Sequence, residues 1–154
     1  MSPSNPAHRF AAAVLFGLLL LSGCDNKPQS NLPTLQMQLG NKSFTLEVAD
    51  STASRTYGLM RRDSMPSDHG MIFIFPEEEE RGFWMKNTRI PLSIAFYDTK
   101  GRIVRILDMA PCSADPCPLY DPKTTYRGAL EVNRGAFRRW KVHIGDRITV
   151  RRTR

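Results

Sequence analysis

The sequence is poor in the residues that most often carry catalysis or hold metals. It contains three cysteines, three histidines and two tryptophans in 154 residues. No Gly-x-Ser-x-Gly elbow is present, so the usual placement of a nucleophilic serine is missing. There is no His-x-x-x-His and no paired Cys-x-x-Cys spacing, which leaves no recognisable zinc site. The longest apolar stretch, Phe10 to Leu21, has twelve residues. A helix that crosses a bilayer needs about 20. Acidic residues are also the minority, 15 against 22 Lys and Arg.

What is present begins with an export signal. Residues 1–9 carry His8 and Arg9 without an acid, the apolar stretch follows, and Leu21-Ser22-Gly23-Cys24 closes it. A short apolar core bounded this way reads as a signal peptide over residues 1–23. Its end resembles the cleavage site of bacterial lipoproteins. That resemblance implies a diacylglyceryl group on Cys24 and a fatty acid such as palmitate on its amine. Several acyl chains anchor far more firmly than one, since each buried methylene contributes about 0.8 kcal/mol. The membrane partner is therefore reached through Cys24. Asp25 resembles the inner-membrane retention signal of enteric bacteria and favours that membrane, with the outer membrane as the alternative.

Residues 24–33 are polar, contain Pro28 and Pro33, and read as a lipidated terminus followed by a flexible tether. Loss of residues 1–23 removes Arg9 alone and leaves 21 basic against 15 acidic side chains. From Arg134 to Arg154 there are eight Lys or Arg against Asp146. In a cytosolic protein that excess would suggest nucleic acid; export argues against such a partner. It is read either as a solvated basic terminus, residues 151–154 at its end, or as a patch lying on anionic headgroups. Cys112 and Cys117, in a loop with Pro111, Pro116 and Pro118, are expected to form a disulfide in an oxidising compartment. A redox-active pair is the sharper alternative, but its Cys-x-x-Cys spacing is missing.

Residues 34–150 read as one β-rich domain. Leu35, Met37 and Leu39 alternate with Gln36 and Gln38; Gly40-Asn41 supplies a turn; Phe44, Leu46 and Val48 resume the alternation. This predicts a β-hairpin. Asp50-Ser51-Thr52 is a capping cluster ahead of a short helix over Ala53 to Met60. Met71 to Phe75 is apolar throughout and predicts a strand buried on both faces and stopped by Pro76, with Glu77 to Arg81 as an acidic connector. Leu92 to Tyr97 and Arg102 to Met109 form a second hairpin, Gly128 to Asn133 another strand, and Gly135 to Trp140 a helical turn before a last alternating strand. The expected fold class is α+β, mostly β: a compact antiparallel sheet curled into a partly closed barrel with one or two short helices.

Several ordered motifs carry a family resemblance: Gly58-Leu59-Met60-Arg61-Arg62, Met65-Pro66-Ser67-Asp68-His69-Gly70 with the apolar run to Phe75, Phe83-Trp84-Met85-Lys86-Asn87-Thr88, and Ile90-Pro91-Leu92. With Leu130-Glu131-Val132 and Ile144-Gly145-Asp146, they resemble the bacterial and archaeal family known as domain of unknown function 192, over roughly Leu35 to Val150. The resemblance implies a compact β-rich fold and many exported members, and no established activity. Arg62 stands at the motif's arginine. Ser93 stands where that family usually shows an aspartate, which argues against any function resting on that carboxylate.

The candidate ligand-binding residues are Arg62, Trp84, Lys86, Asn87, Thr88 and Glu131. In the stretch around Trp84, Phe83 and Met85 are expected to face the core, leaving Trp84 as a stacking face and Lys86 as a point charge for an anionic or sugar-like ligand. Glu131 sits mid-strand opposite the face of Leu130 and Val132; if buried it needs a partner, for which Arg62 or Lys86 is the expected source. Asp68 and His69 are the weak catalytic candidates, read first as loop residues. Met60, Met71 and Met85 are read as core filling rather than Cu(I) ligands. No cofactor and no metal are expected. The expected function is a membrane-anchored, periplasm-facing lipoprotein that binds a small molecule, a glycan or a protein of the cell envelope without catalysis; the alternative is an enzyme acting on an envelope component.

Overall fold

The computed structural model describes residues 27–39 and 42–151. The Cys24 lipidation site, the signal segment and the Gly40-Asn41 turn lie outside the described residues. The alternating run at the start forms β1 (Thr34–Leu39) and β2 (Lys42–Ala49), paired antiparallel from Thr34 against Glu47 to Leu39 against Lys42. Ser51 then starts α1 (Thr52–Tyr57) with a reciprocal cap: the Ser54 N–H donates to the Ser51 hydroxyl, and the Ser51 N–H donates to the Ser54 hydroxyl, both at 3.1 Å. Gly58, at φ 52°, ends the helix earlier than the sequence pattern suggests. Its positive φ, and not lack of space, is what favours glycine, since a Cβ there would stand in ordinary contact, 3.4 Å, with the Phe73 ring.

The apolar run lies in β3 (His69–Glu79), which continues through Pro76 instead of stopping there. The register against its neighbour is broken between Ile74 and Glu79, and that irregularity accommodates a residue with no N–H to donate. The remaining strands are β4 (Phe83–Trp84), β5 (Leu92–Tyr97), β6 (Ile103–Met109), β7 (Leu119–Tyr120), β8 (Tyr126–Asn133) and β9 (Thr149–Arg151), with α2 (Ala136–Arg139) between the last two. Seven strands form one sheet in the order β6-β5-β8-β3-β2-β1-β9, and β4 and β7 form a separate two-stranded sheet.

Two features differ from the sequence expectation. The sheet is mixed, because β2 and β3 are parallel. Parallel neighbours need a long crossover, and α1 with the loop to His69 provides it. The sheet is also open instead of being curled into a partly closed barrel: β9 is three residues long and pairs with β1, and it does not pair with β6. Between residues 145–148 ahead of β9 and the start of β6 there is the Arg102–Arg147 bridge, with three backbone hydrogen bonds at 2.8 Å to Gly101 and Ile103.

Each face of the sheet carries its own apolar cluster. One contains Phe44, Leu46, Ile72, Leu130 and Val132, and is covered by Phe137, Val142 and Ile148 from the chain after β8. The other contains Met71, Phe73, Ile94 and Phe96, and is covered by Leu59, Met65, Met85 and Ile90 from the long connections. Residues 27–33, expected to be tether, lie against this second side. The Gln29 amide donates to the Ser54 and Gly58 carbonyls at 3.2 and 2.6 Å, the Tyr57 hydroxyl donates to the Lys27 carbonyl, and Leu32 packs on the cluster.

Candidate functional site

The two-stranded sheet of β4 and β7 is positioned by alternation over the second cluster. Phe83 points inward and meets Phe73, Phe96 and Tyr126 at ring-centroid distances of 5.1, 5.5 and 6.3 Å. Met85, two residues on, is fully buried. Trp84 faces the other way and is 47% exposed, opposite Leu119, which is 63% exposed. The division of this stretch into an inner and an outer layer therefore follows the period of two. The Lys86 ammonium stands 5.6 Å from the centre of the Trp84 ring and is tied to Asp115 at 2.5 Å. Asp115 lies in the loop closed by the Cys112–Cys117 disulfide, which is formed. The outer ring is thus braced from the disulfide loop.

Beside Trp84 opens a cavity of about 340 Å³, between α1, the end of β3 and β4. Phe75, Phe83 and Tyr126 give it aromatic walls; Arg55, Glu79 and Arg81 give it charge. The Arg55 guanidinium lies 5.1 Å over the Phe75 ring and donates to the Ile74 carbonyl at 3.0 Å. Arg81 holds Glu79 in a two-bond pair at 2.8 and 3.0 Å, and that hydrogen bonding keeps the Glu79 carboxyl below its usual range. Tyr126 donates to the Arg81 carbonyl at 2.6 Å. Burial raises the Tyr126 phenol well above its ordinary value, so it stays a neutral donor.

The six candidate ligand-binding residues do not converge on this cavity. Trp84 lines it, with Lys86 over the Trp84 ring. Asn87 and Thr88 turn away toward a separate cavity of about 440 Å³ shared with Arg61, Arg89 and Ser113. Asn87 makes that turn at φ 57°, a conformation that asparagine tolerates better than most residues, and its N–H is held by the Cys112 carbonyl at 2.9 Å. Arg62 is elsewhere again, paired with both oxygens of Glu47 at 2.5 and 2.7 Å on the wall of a cavity of about 620 Å³ beneath residues 28–32.

Glu131 is buried, 4% exposed, on the face of Ala129 and next to Met71 and Ile94. The partners expected for it are engaged elsewhere, Arg62 with Glu47 and Lys86 with Asp115. Removal from water pushes its carboxyl up to about 8, so it is neutral at pH 7. The cost of an unpaired buried charge is avoided by keeping the proton. It is a core residue here and takes no part in the Trp84 cavity.

Asp68 accepts from His69 Nδ1 at 2.9 Å, which holds the Asp68 carboxyl below its usual range. His69 and Ser64 both line the 620 Å³ cavity, and no hydrogen bond joins them. A base in contact with a nucleophile, the minimum for covalent catalysis, is not formed there. Ser93 is buried on the opposite face of the sheet from Met85 and Ile90. It donates to Asp108 and accepts from the Gly135 N–H at 2.8 Å. Among the described residues no three His, Cys, Asp or Glu side chains gather as a metal cage. Met71 and Met85 are core residues, and Met60 is partly exposed.

Sequence reading passed over Phe75, Glu79, Arg81 and Tyr126, which line the cavity with Trp84. The signal was there in the alternation Phe73, Phe75 and, past the proline, Glu77 and Glu79; taking Pro76 as a stop concealed it.

The family DUF192, described as an uncharacterized ACR, matches residues 35–150. The chain belongs to that family. No curated protein matches it significantly. Among solved structures, a provisionally assigned transcription regulator of Sinorhizobium meliloti 1021 is 30% identical, with a TM-score of 0.71 over 79% of this chain and 97% of its own. A protein of unknown function from Novosphingobium aromaticivorans DSM 12444 is 27% identical, with a TM-score of 0.70 over 80% of this chain and 89% of its own. The DUF192 match spans β1 to β9, so the family and the sheet coincide.

Proposed function

We propose that this protein is an exported, lipid-anchored binding module of the bacterial envelope that works without catalysis and engages its ligand at Trp84. The observation that carries the reading is the half-exposed, braced indole at the rim of an aromatic cavity with fixed charged groups, in a molecule whose best acid-base pair, Asp68 and His69, lacks a nucleophile in contact. A concave site with a few placed polar groups is the usual form of a small-ligand pocket. Lipidation of Cys24 and export rest on the sequence pattern at residues 1–24, and Asp25 favours the inner membrane over the outer.

The clamped linker gives the anchor a consequence. Cys24 precedes Lys27, which is bound by Tyr57, and three residues span at most about 11 Å. An acyl group on Cys24 therefore holds α1 close to the bilayer, and the Trp84 cavity, which α1 borders through Thr52 and Arg55, opens near the membrane surface.

The regulator assignment of the Sinorhizobium neighbour does not carry over. The two described helices have six and four residues, too short for a recognition helix crossing a major groove. The enzyme alternative rests on Asp68 and His69, of which His69 lines the cavity of about 620 Å³. It predicts that His69→Ala abolishes the cellular phenotype while Trp84→Ala spares it; the binding reading predicts the reverse. Labelling with an alkyne palmitate analogue tests the anchor directly: label on the parent and none on Cys24→Ala is expected, and equal labelling of both would refute it.

A further inference from the structure

We infer that the cavity beside Trp84 is a binding site for a neutral, polyhydroxylated sugar ring. The inference deepens the reading of Trp84 as the contact surface and rests on it. Three observations select this ligand class. First, a sugar ring offers an apolar C–H face and a hydroxyl rim, and the lining holds both kinds of group: the half-exposed indole with Phe75 and Phe83, and the paired planar groups of Glu79 and Arg81. Aromatic rings present that kind of large, rigid face.

Second, the polar groups are both donors and acceptors, and they are fixed before any ligand arrives. Glu79 is an ionised acceptor locked by Arg81, and Arg55 is held over Phe75 by the Ile74 carbonyl. The hydroxyls of Thr52 and Thr56 add groups that can play either role. A vicinal diol, each hydroxyl giving and taking a hydrogen bond, satisfies such a set; a purely apolar ligand would leave Glu79 and the two arginines desolvated without compensation.

Third, the charged lining groups are already engaged within the protein, which favours a neutral ligand. Arg81 is paired with Glu79, Arg55 is held by the Ile74 carbonyl, and the chain neighbours Glu77, Glu78 and Glu80 are exposed carboxylates. The cavity volume, about 340 Å³, lies at the small end of the roughly 300–1,000 Å³ of ligand pockets, which suits one or two rings.

The test uses the full-length protein purified in detergent on an array of neutral, amino and acidic glycans, followed by fluorescence titration with the best neutral oligosaccharide. A Trp140→Phe background removes the second indole, which packs against Phe44 and Phe137 on the other face. The expected result is a saturable shift in Trp84 emission and, by isothermal titration calorimetry, an affinity reduced about tenfold or more by Trp84→Ala and reduced by Glu79→Gln, both variants keeping the parent's circular dichroism and melting temperature. No hit on the array, hits confined to acidic glycans, or a neutral hit that both variants leave unchanged would overturn the inference. Photo-crosslinking from position 84 in cells separates the two levels. Capture of a protein without any glycan hit refutes the sugar and keeps the binding module, whereas a glycan hit that survives Trp84→Ala removes the role of Trp84 itself.

Discussion

The two faces of the sheet are covered in different ways. On the face of Leu46, Ile72 and Val132, the cover is the continuous stretch from α2 to Ile148. On the face of Met71, Ile94 and Phe96, it is assembled from the N-terminal linker, the α1 loop, the β4 segment and the disulfide loop. Of the five non-glycine residues with positive φ among the described residues, Asn31, Arg61 and Asn87 belong to this composite cover, Lys123 to the turn after β7, and Lys141 to the other cover. Such conformations are costly and concentrate where a structure positions something. The difference separates a face that closes a core from a face that also presents cavities, with Trp84 at the boundary of one of them.

That comparison can be broken by mutation. The largest effect is expected at the inner layer: Phe83→Ala should cost about 3 kcal/mol, the low end for aromatics truncated in a core, because Phe83 is partly buried, read as a fall in the urea midpoint with Phe83 lost from the ring cluster of Phe73, Phe96 and Tyr126. A loss below 1 kcal/mol would mean that the β4 segment is not part of the core.

Glu131→Gln should act in the opposite direction. The unfolded carboxyl ionises near 4.5 and the folded one near 8, so between those values the unfolded state has released a proton that the native state retains. The penalty is absent below pH 4.5, grows as pH rises, and is complete above pH 8. Replacing the acid should therefore stabilise the protein by a few kcal/mol, on the order of the shift at about 1.4 kcal/mol per pH unit, at pH 8, and change little at pH 4. Thermal melts at the two pH values check the sign; a destabilisation that grows with pH would contradict the buried, unpaired carboxyl.

Loss of the disulfide in Cys112→Ser with Cys117→Ser should cost about 2 kcal/mol by loop-closure entropy and release Asp115 from Lys86, so the Trp84 emission should move. An unchanged emission would show that the loop does not brace the ring. Breaking the helix cap with Ser51→Ala should cost about 1 kcal/mol, measured by chemical denaturation, and loosen the cavity wall on α1. The smallest stability change, within about 0.5 kcal/mol, is expected for Trp84→Ala, because that ring faces solvent.

Much of the covered framework was legible beforehand. The alternations at Leu35 and Met37 and at Phe44 and Leu46 anticipate which residues face inward, and both hairpins pair as expected. Cys112 and Cys117 pair as the proline-stiffened loop suggested. The candidate site was legible only in part, since chain neighbours need not share a surface. Trp84 and Lys86 stay together, whereas Asn87, one residue on, turns at positive φ into another cavity. The parallel pairing of β2 with β3 depends on where a crossover lands, and no local pattern encodes that. Arg62 and Glu131, joined on paper by opposite charge, are separated because Glu47 lies closer to the arginine and burial neutralises the acid.

The central claim is that the outer layer of the β4 segment is a recognition surface while the inner layer is core. Ile144 is 59% exposed in the chain after α2, which covers the opposite face, and so serves as an internal control. A photo-crosslinking amino acid placed in living cells at position 84, and separately at position 144, tests the claim most directly. Specific capture from position 84, competed away by the ligand and absent from position 144, is the predicted result; equal capture from both positions, or none from position 84, would contradict the account.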